Sequence, residues 1–182
     1  MTVFVDYLQT PLGLFEFMAN DHVIFQSIFC GNIECNKRQV RVNHITKACK
    51  EQLIEYFSGQ RHYFDLPIAP KGTSFQQSVW HCLKEIPYGT VKSYGQIAQQ
   101  INKPNASQAV GGANGRNPIT LIIPCHRVIG SNGSMVGYAG GIERKLWLLN
   151  HEGVKLNKTV NSAESDLTQA IGQRQMKTRF LR

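Results

Sequence analysis

The residues best suited to do chemistry lie in LIIPCHRVIG, Leu121 to Gly130, where an apolar run stops at Pro124 and a cysteine and a histidine follow side by side. Leu121, Ile122 and Ile123 read as a short buried strand, and Pro124 lacks the backbone donor that a continuing central strand needs. Cys125 therefore stands at a chain break that exposes its thiol, with His126 and Arg127 next in line. A free thiol of pKa about 8.5 is only a few per cent thiolate at neutral pH, and a base or cation nearby raises that fraction. The residue types thus point to nucleophilic thiol chemistry. The bland alternative is an inert cysteine, since this residue is among the most often buried. Adjacent residues on an extended segment face opposite ways, so His126 reaches Cys125 only through a turn or a bridging water.

The elements around this segment change character along the chain. VFVDYLQ, a TPLG turn, LFEFMA, an Asn20-Asp21 turn and VIFQSIF read as hairpin-linked strands. Ile45, Cys49, Leu53, Tyr56 and Phe57 then recur at helical spacing, and Gly59 supplies a stop. LPIAPKGTS, with two prolines and a glycine, is the best linker, which places a boundary near Pro70. Beyond it, Thr73 with Gln76 fits a capping box, and Phe75, Val79, Leu83 and Ile86 share one helical face that Pro87 ends. Ser93 with Gln96 opens a second helix carrying Ile97, Ala98 and Ile101. NKPN makes a tight turn and Ala106 to Asn114 resumes helix, so the pattern is helix, turn, helix. Ala109, Gly111, Gly112 and Ala113 leave that last helix almost bare, open to close approach by a protein neighbour or a nucleic-acid backbone.

Composition narrows the function classes. The 182 residues are 42% hydrophobic and 18% charged, ordinary for a globular chain of one or two small domains. The amino terminus lacks the basic head and apolar stretch of a secretory signal, and no segment nears the roughly 20 apolar residues of a membrane span. The reading is a soluble cytoplasmic protein without membrane contact. Five cysteines, Cys30, Cys35, Cys49, Cys82 and Cys125, without CxxC spacing favour reduced thiols over a disulfide framework and give no support to a metal site. The net charge of +8 is uneven. Residues 1–70 carry six basic against seven acidic side chains, residues 71–153 eight against three, and residues 154–182 six against two. A basic second part fits a polyanionic partner, nucleic acid above all, although a merely solubilising surface explains the charge equally well.

PCHRV at Pro124 to Val128, AVGGA at Ala109 to Ala113, Asn117-Pro118, YAGG and WLLNHEG together resemble the O6-alkylguanine-DNA alkyltransferases. The resemblance covers residues 73–153 almost without gaps and extends weakly into the first domain through TPLG and EYFSG. It implies an α+β protein. An RNase-H-like domain with a short antiparallel sheet would occupy 1–70, and a helical, winged-helix-like domain with a helix-turn-helix would occupy 71–153. Residues 154–182 fall outside it as a basic tail for which disorder is one reading, and Lys155, Lys158, Arg174, Lys177, Arg179 and Arg182 would there add non-specific DNA affinity.

The resemblance further implies direct DNA repair by irreversible, single-turnover transfer of an alkyl group from O6-alkylguanine, and from O4-alkylthymine, to Cys125, with no cofactor. The partner would be double-stranded DNA approached through the minor groove, with the alkylated guanine flipped out, by a monomeric protein. His126 would deprotonate Cys125 through a water, Glu152 would orient His126, Asn117 would tie the recognition helix to the active-site turn, and Tyr94 would hydrogen-bond the departing base. Tyr138, Ala139 and Gly140 would line the base pocket, the carbonyls of Cys125 and Val128 would accept from the guanine amino group, and the Ala139 amide would face O6. Ser93, Ala109, Gly111, Gly112 and Arg116 would meet DNA. Gln108 stands where members of the family usually place an arginine that fills the space left by the flipped base. A thiol hydrolase built on the same Cys125, His126 and Glu152 and a non-catalytic lesion binder are the rival readings. The first would turn over many times, and the second would have its cysteine replaced.

Overall fold

The computed structural model describes residues 2–31, 38–135 and 138–155. Three strands, β1 (Phe4–Thr10), β2 (Gly13–Ala19) and β3 (Ile24–Phe29), form an antiparallel sheet in that order. The TPLG turn closes because Thr10 Oγ1 donates to the Gly13 carbonyl at 2.6 Å and accepts from the Leu12 amide. Gly13 adopts φ +105°, a conformation that a side chain would strain. At the second turn Asn20 Oδ1 accepts from the amides of His22 and Val23. Phe15, Phe17, Ala19 and Ile24 pack with Ile45, Cys49, Leu53 and Tyr56 of α1 (His44–Phe57) into one core. Asn43 and Thr46 cap that helix reciprocally, a box that strand-and-helix patterning alone did not flag.

The second part holds α2 (Ser74–Lys84), α3 (Tyr94–Gln100), α4 (Ser107–Gly115) and α5 (Ile142–His151). Both expected capping boxes, Thr73 with Gln76 and Ser93 with Gln96, are formed. The α4 helix is displaced by one residue from the expected 106–114. Two short strands, β4 (Lys92–Ser93) and β5 (Val128–Ile129), pair in parallel, Lys92 with Val128 and Ser93 with Ile129. That ladder sets the first residue of α3 beside the chain that follows Cys125. The Trp80 indole of α2 donates to the Ala113 carbonyl of α4 at 2.9 Å, fixing the helix-turn-helix against its support.

Two expectations need correction and one is extended. Residues 121–123 are not a strand: Leu121 is left-handed at φ +72°, and the Ile123 amide bonds the Ile119 carbonyl at 2.9 Å. A three-residue apolar run buried on all sides has no period with which to tell a strand from a turn. The segment before it docks on β3, with Ser27 N to Pro118 O at 2.9 Å, Thr120 N to Ser27 O at 2.8 Å and Ser27 Oγ to Thr120 O at 2.8 Å. Second, the LPIAP stretch read as a linker also pairs with the sheet, the Pro67 carbonyl and the Ala69 amide bonding the Ile24 backbone. Third, Cys30 is in a disulfide, whereas Cys49, Cys82 and Cys125 are free thiols. Cysteine count and spacing carry no signal for one isolated bridge. Cys35 and the tail from residue 156 onward lie outside the described residues. Among the described residues no helix is long and apolar enough to cross a membrane.

Candidate active site

Pro124 is followed by a single 3-10 turn, Cys125–Arg127, in which Arg127 N bonds Pro124 O at 3.0 Å and Val128 N bonds Cys125 O. The turn buries all three successive side chains. It does not expose the thiol. Cys125 is 3% exposed and His126 fully buried, which corrects the expectation that the break opens the sulfur to solvent. A proline breaks the chain at any depth, and the packed surroundings bury this break.

Glu152, the residue that caps the end of α5, organises the site. Its Oε1 accepts from His126 Nε2 at 2.8 Å, Arg127 Nη2 at 2.9 Å and the Tyr56 hydroxyl at 2.7 Å. Its Oε2 accepts from Arg127 Nε at 2.8 Å and the Gly89 amide at 3.3 Å. An ionised carboxylate is acceptor-only, so the proton of His126 belongs on Nε2. Nδ1, buried and without a hydrogen-bond partner, is then the basic nitrogen.

Burial pushes the Glu152 carboxyl up, but the hydrogen bonds and charges of His126 and Arg127 outweigh it and hold the group well below the usual carboxylate range. Burial drives His126 below its ordinary value against the pull of Glu152, and Arg127 and Lys145 push the same way as burial. Burial likewise raises the Cys125 thiol, with a hydrogen bond from Asn117 and the Lys145 charge working against it. The resting pair is therefore a neutral thiol and a neutral imidazole, and the arrangement favours proton transfer at the moment of reaction over a standing thiolate.

Asn117, just past α4, donates through Nδ2 to the Ile123 carbonyl at 2.8 Å and accepts from the Ile119 amide at 3.0 Å. It thus joins the end of α4 to the residues that lead into Cys125. Tyr94, the first residue of α3, is buried, and burial together with the Cys125 charge pushes its hydroxyl up to about 12, so it is a proton donor. Tyr138 is buried, its hydroxyl has no partner, and its ring lies where a Cβ on Gly140 would stand at 2.6 Å. Only glycine fits at 140 beside that ring. Ala139 is exposed. The two carbonyls expected to meet the guanine amino group already have partners, Val128 N on Cys125 O and Lys145 Nζ on Val128 O, which leaves each its second lone pair.

On α4, Gln108, Ala109 and Arg116 are exposed and Gly112 half-buried, while Val110, Ala113 and Asn114 face inward. A Cβ on Gly111 would touch the Tyr94 ring at 3.8 Å, so part of the bareness serves a protein neighbour. The rest faces two cavities that share Gln108. One, of about 470 Å³, is lined by Thr73, Phe75, Gln76, Ala109, Gly112 and Arg116 as well. The other, of about 430 Å³, is lined by Tyr94, Gly95, Ser107, Gly130, Ser131, Asn132 and Ser134. Neither is lined by Tyr138, Ala139 or Gly140. Ser93 both caps α3 and pairs with Ile129 in the β4–β5 ladder.

Three neighbours of the reactive turn were not singled out from sequence as partners: Tyr56, Lys145 and, in its bidentate role, Arg127. Lys145 is fully buried, burial lowers it to about 8, and its ammonium lies 5.9 Å from the Tyr94 ring centre. A lysine at i−3 and i−4 from the buried Leu148 and Leu149 was the available signal. Among the described residues, no cluster of three or more histidine, cysteine or acidic side chains has the spacing of a metal site.

Comparison with known proteins places this geometry in context. Residues 3–70 match the family model described as 6-O-methylguanine DNA methyltransferase, ribonuclease-like domain, and residues 74–154 match the model of the same description's DNA binding domain. A methylated-DNA--protein-cysteine methyltransferase of Methanosarcina acetivorans is 51% identical over 121 residues, 66% of this chain and 78% of the relative. That of Shigella flexneri is 56% identical over 107 residues, 58% of this chain and 63% of the relative. The crystal structure of Mycobacterium tuberculosis OGT in complex with DNA superposes with a TM-score of 0.75 at 40% identity, covering 82% of this chain and 92% of that one.

Proposed function

The chain belongs to the 6-O-methylguanine DNA methyltransferase family, and from that premise we propose that it repairs DNA directly, moving the alkyl group of an O6-alkylguanine onto Cys125 and keeping it there. The observation that carries this reading is the buried chain of groups Cys125, His126 and Glu152, with His126 Nε2 at 2.8 Å from the carboxylate and Nδ1 left as acceptor. The Cys125 proton passes to His126 Nδ1 through a bridging water, and Glu152 balances the charge that the imidazole gains. The sulfur then attacks the alkyl carbon as the carbon–O6 bond breaks, and the electron pair leaves on guanine. Tyr94 meets that charge with its hydroxyl proton. A thioether is no leaving group, so one protein molecule serves one lesion.

Because the thiol is buried, the base must come to it. The nucleotide rotates out of the duplex, at a cost of roughly a few kcal/mol. The cavity lined by Tyr94, Gly130, Ser131, Asn132 and Ser134 supports an entry on that side, and Tyr138, Ala139 and Gly140 close over the base. The exposed Gln108, Ala109 and Arg116, the half-buried Gly112 and Ser93 meet the minor groove, where the small side chains at 109 and 112 permit close approach. The protein acts as a cytoplasmic monomer, and O4-alkylthymine is a second substrate. Mixing with DNA that contains O6-methylguanine is expected to add the mass of one methylene to the Cys125 peptide, with one lesion consumed per protein. Folded protein with unmodified Cys125 refutes the reading, and repeated turnover favours the hydrolase alternative.

A further inference from the structure

Tyr56 belongs to α1, 96 residues away from Glu152 in sequence, yet its hydroxyl is 2.7 Å from Glu152 Oε1, the oxygen that also receives His126 Nε2. Nothing in alkyl transfer as derived above uses it. The contact is built rather than incidental. Tyr56 is fully buried, its ring packs edge-on against Phe57, Tyr88 and His151, and its carbonyl is bonded by His151 Nε2 at 2.7 Å. The end of α1 and the end of α5 are thereby held together by both the backbone and the side chain of one residue. A phenol at this depth would be satisfied by any acceptor. That the acceptor is the carboxylate facing the base of the reaction gives the contact a consequence.

We propose that Tyr56 is a positioning residue for alkyl transfer: its hydroxyl holds Glu152 Oε1 in place and shares its negative charge, so that the carboxylate orients His126 without drawing a proton onto Nδ1. The proposal rests on the reading of Cys125 as alkyl acceptor and His126 as its base. A carboxylate has about four lone-pair sites, and five donors surround this one. Each donor makes it a weaker partner for the others. Losing the Tyr56 hydroxyl concentrates charge on the oxygen that faces His126, which favours the imidazolium. The groups that face this pair are Glu152, Lys145 and His151 from α5, Cys125 and Arg127 from the 3-10 turn, Tyr88 from the loop before β4 and Tyr56 from α1. Among them only Tyr56 comes from the N-terminal unit.

The test is the pH dependence of alkyl transfer to the full chain, measured as the second-order rate with free O6-benzylguanine and with duplex O6-methylguanine DNA. In Tyr56→Phe the ring and its packing stay. The acid limb of the profile, where the imidazole must be neutral, is expected to move upward by about half a unit to one unit, equally for both substrates. Tyr88→Phe, which removes a hydroxyl bonded to the His151 carbonyl and not to the carboxylate, is expected to leave the midpoint in place. If Tyr56→Phe fails to fold, 3-fluorotyrosine at position 56 keeps the contacts and strengthens the donor, and the midpoint is expected to fall. An unmoved midpoint in a folded Tyr56→Phe protein, or in the fluorotyrosine protein, overturns the proposal. A parent chain that takes no alkyl group fails the earlier reading instead.

Discussion

Replacing Arg127 by methionine isolates the electrostatics of the site. The substitution keeps an unbranched apolar stem and removes a guanidinium that makes three buried hydrogen bonds, two to Glu152 at 2.8 and 2.9 Å and one to the Ile86 carbonyl at 2.7 Å. The Glu152 side chain is completely buried, and Arg127 is only 6% exposed. Taking one partner from such a pair strands the other, at a typical cost of about 3 to 5 kcal/mol. For a domain of this size that corresponds to a melting temperature lower by about 6 to 20 °C. Glu152→Gln strands the arginine in turn. Because most of each single cost is the stranded charge, the double variant Arg127→Met/Glu152→Gln is expected to be no less stable than Arg127→Met alone. Urea titration of the four proteins, with unchanged slopes, closes the cycle. A loss below about 1 kcal/mol in Arg127→Met, or a double variant that costs the sum of the singles, refutes the view that Arg127 and Glu152 form one buried charge unit.

Acid is expected to unfold the protein through the same groups. His126 in the fold lies below its ordinary 6.5 and Glu152 below its ordinary 4.5, so beneath each of those values the unfolded chain binds more protons than the fold. The stability contributed by these two groups should therefore be complete above about pH 6.5 and be lost as pH falls through the histidine and then the carboxylate range; a urea midpoint that stays flat from pH 7 to 4 contradicts this. Methylation of Cys125, 3% exposed, is expected to destabilise the fold by about 1 to 3 kcal/mol, read as a lower melting temperature after reaction. Gln108→Arg should bind duplex DNA several-fold more tightly and speed repair of duplex lesions, because an arginine brings charge and a stacking plane to a residue that lines both cavities of α4. Its reaction with free O6-benzylguanine should not change, and a parallel rise in both rates would remove Gln108 from the flipping step.

Sequence reading succeeded at most places where one local rule governed the backbone, the Asn43–Thr46 box of α1 being the exception. Two capping boxes and the two turns of the first sheet follow from side chains that act on amides within four residues of themselves, and the stop at Gly59 from a positive φ that glycine adopts without strain. The strand assigned to residues 121–123 failed because Leu121 adopts a left-handed turn for reasons that lie in β3, where Ser27 binds the chain on either side of Ile119. The reactive thiol was placed by type and neighbour, but its burial depends on helices that local sequence does not see. Tyr56 looked like one more apolar position on the α1 stripe, and Lys145 like one more surface charge. Their places beside Glu152 and the Tyr94 ring are tertiary facts, reached across 96 residues in one case and from the inner face of α5 in the other.

The pairing of β3 has a bearing on how this chain is made. Its outer edge is completed by Pro67 and Ala69 at Ile24 and then by Pro118 and Thr120 at Ser27, a contact that spans 93 residues for the Ser27 side chain. During synthesis the first sheet therefore emerges with half of one margin unpaired, and it stays so until the segment leading to Cys125 has left the ribosome. An uncovered margin of this kind invites pairing with another nascent chain. Chains halted between residues 70 and 118 should therefore be markedly more prone to aggregate than those that extend past 120, since the residues that carry the nucleophile into place are also those that seal the sheet.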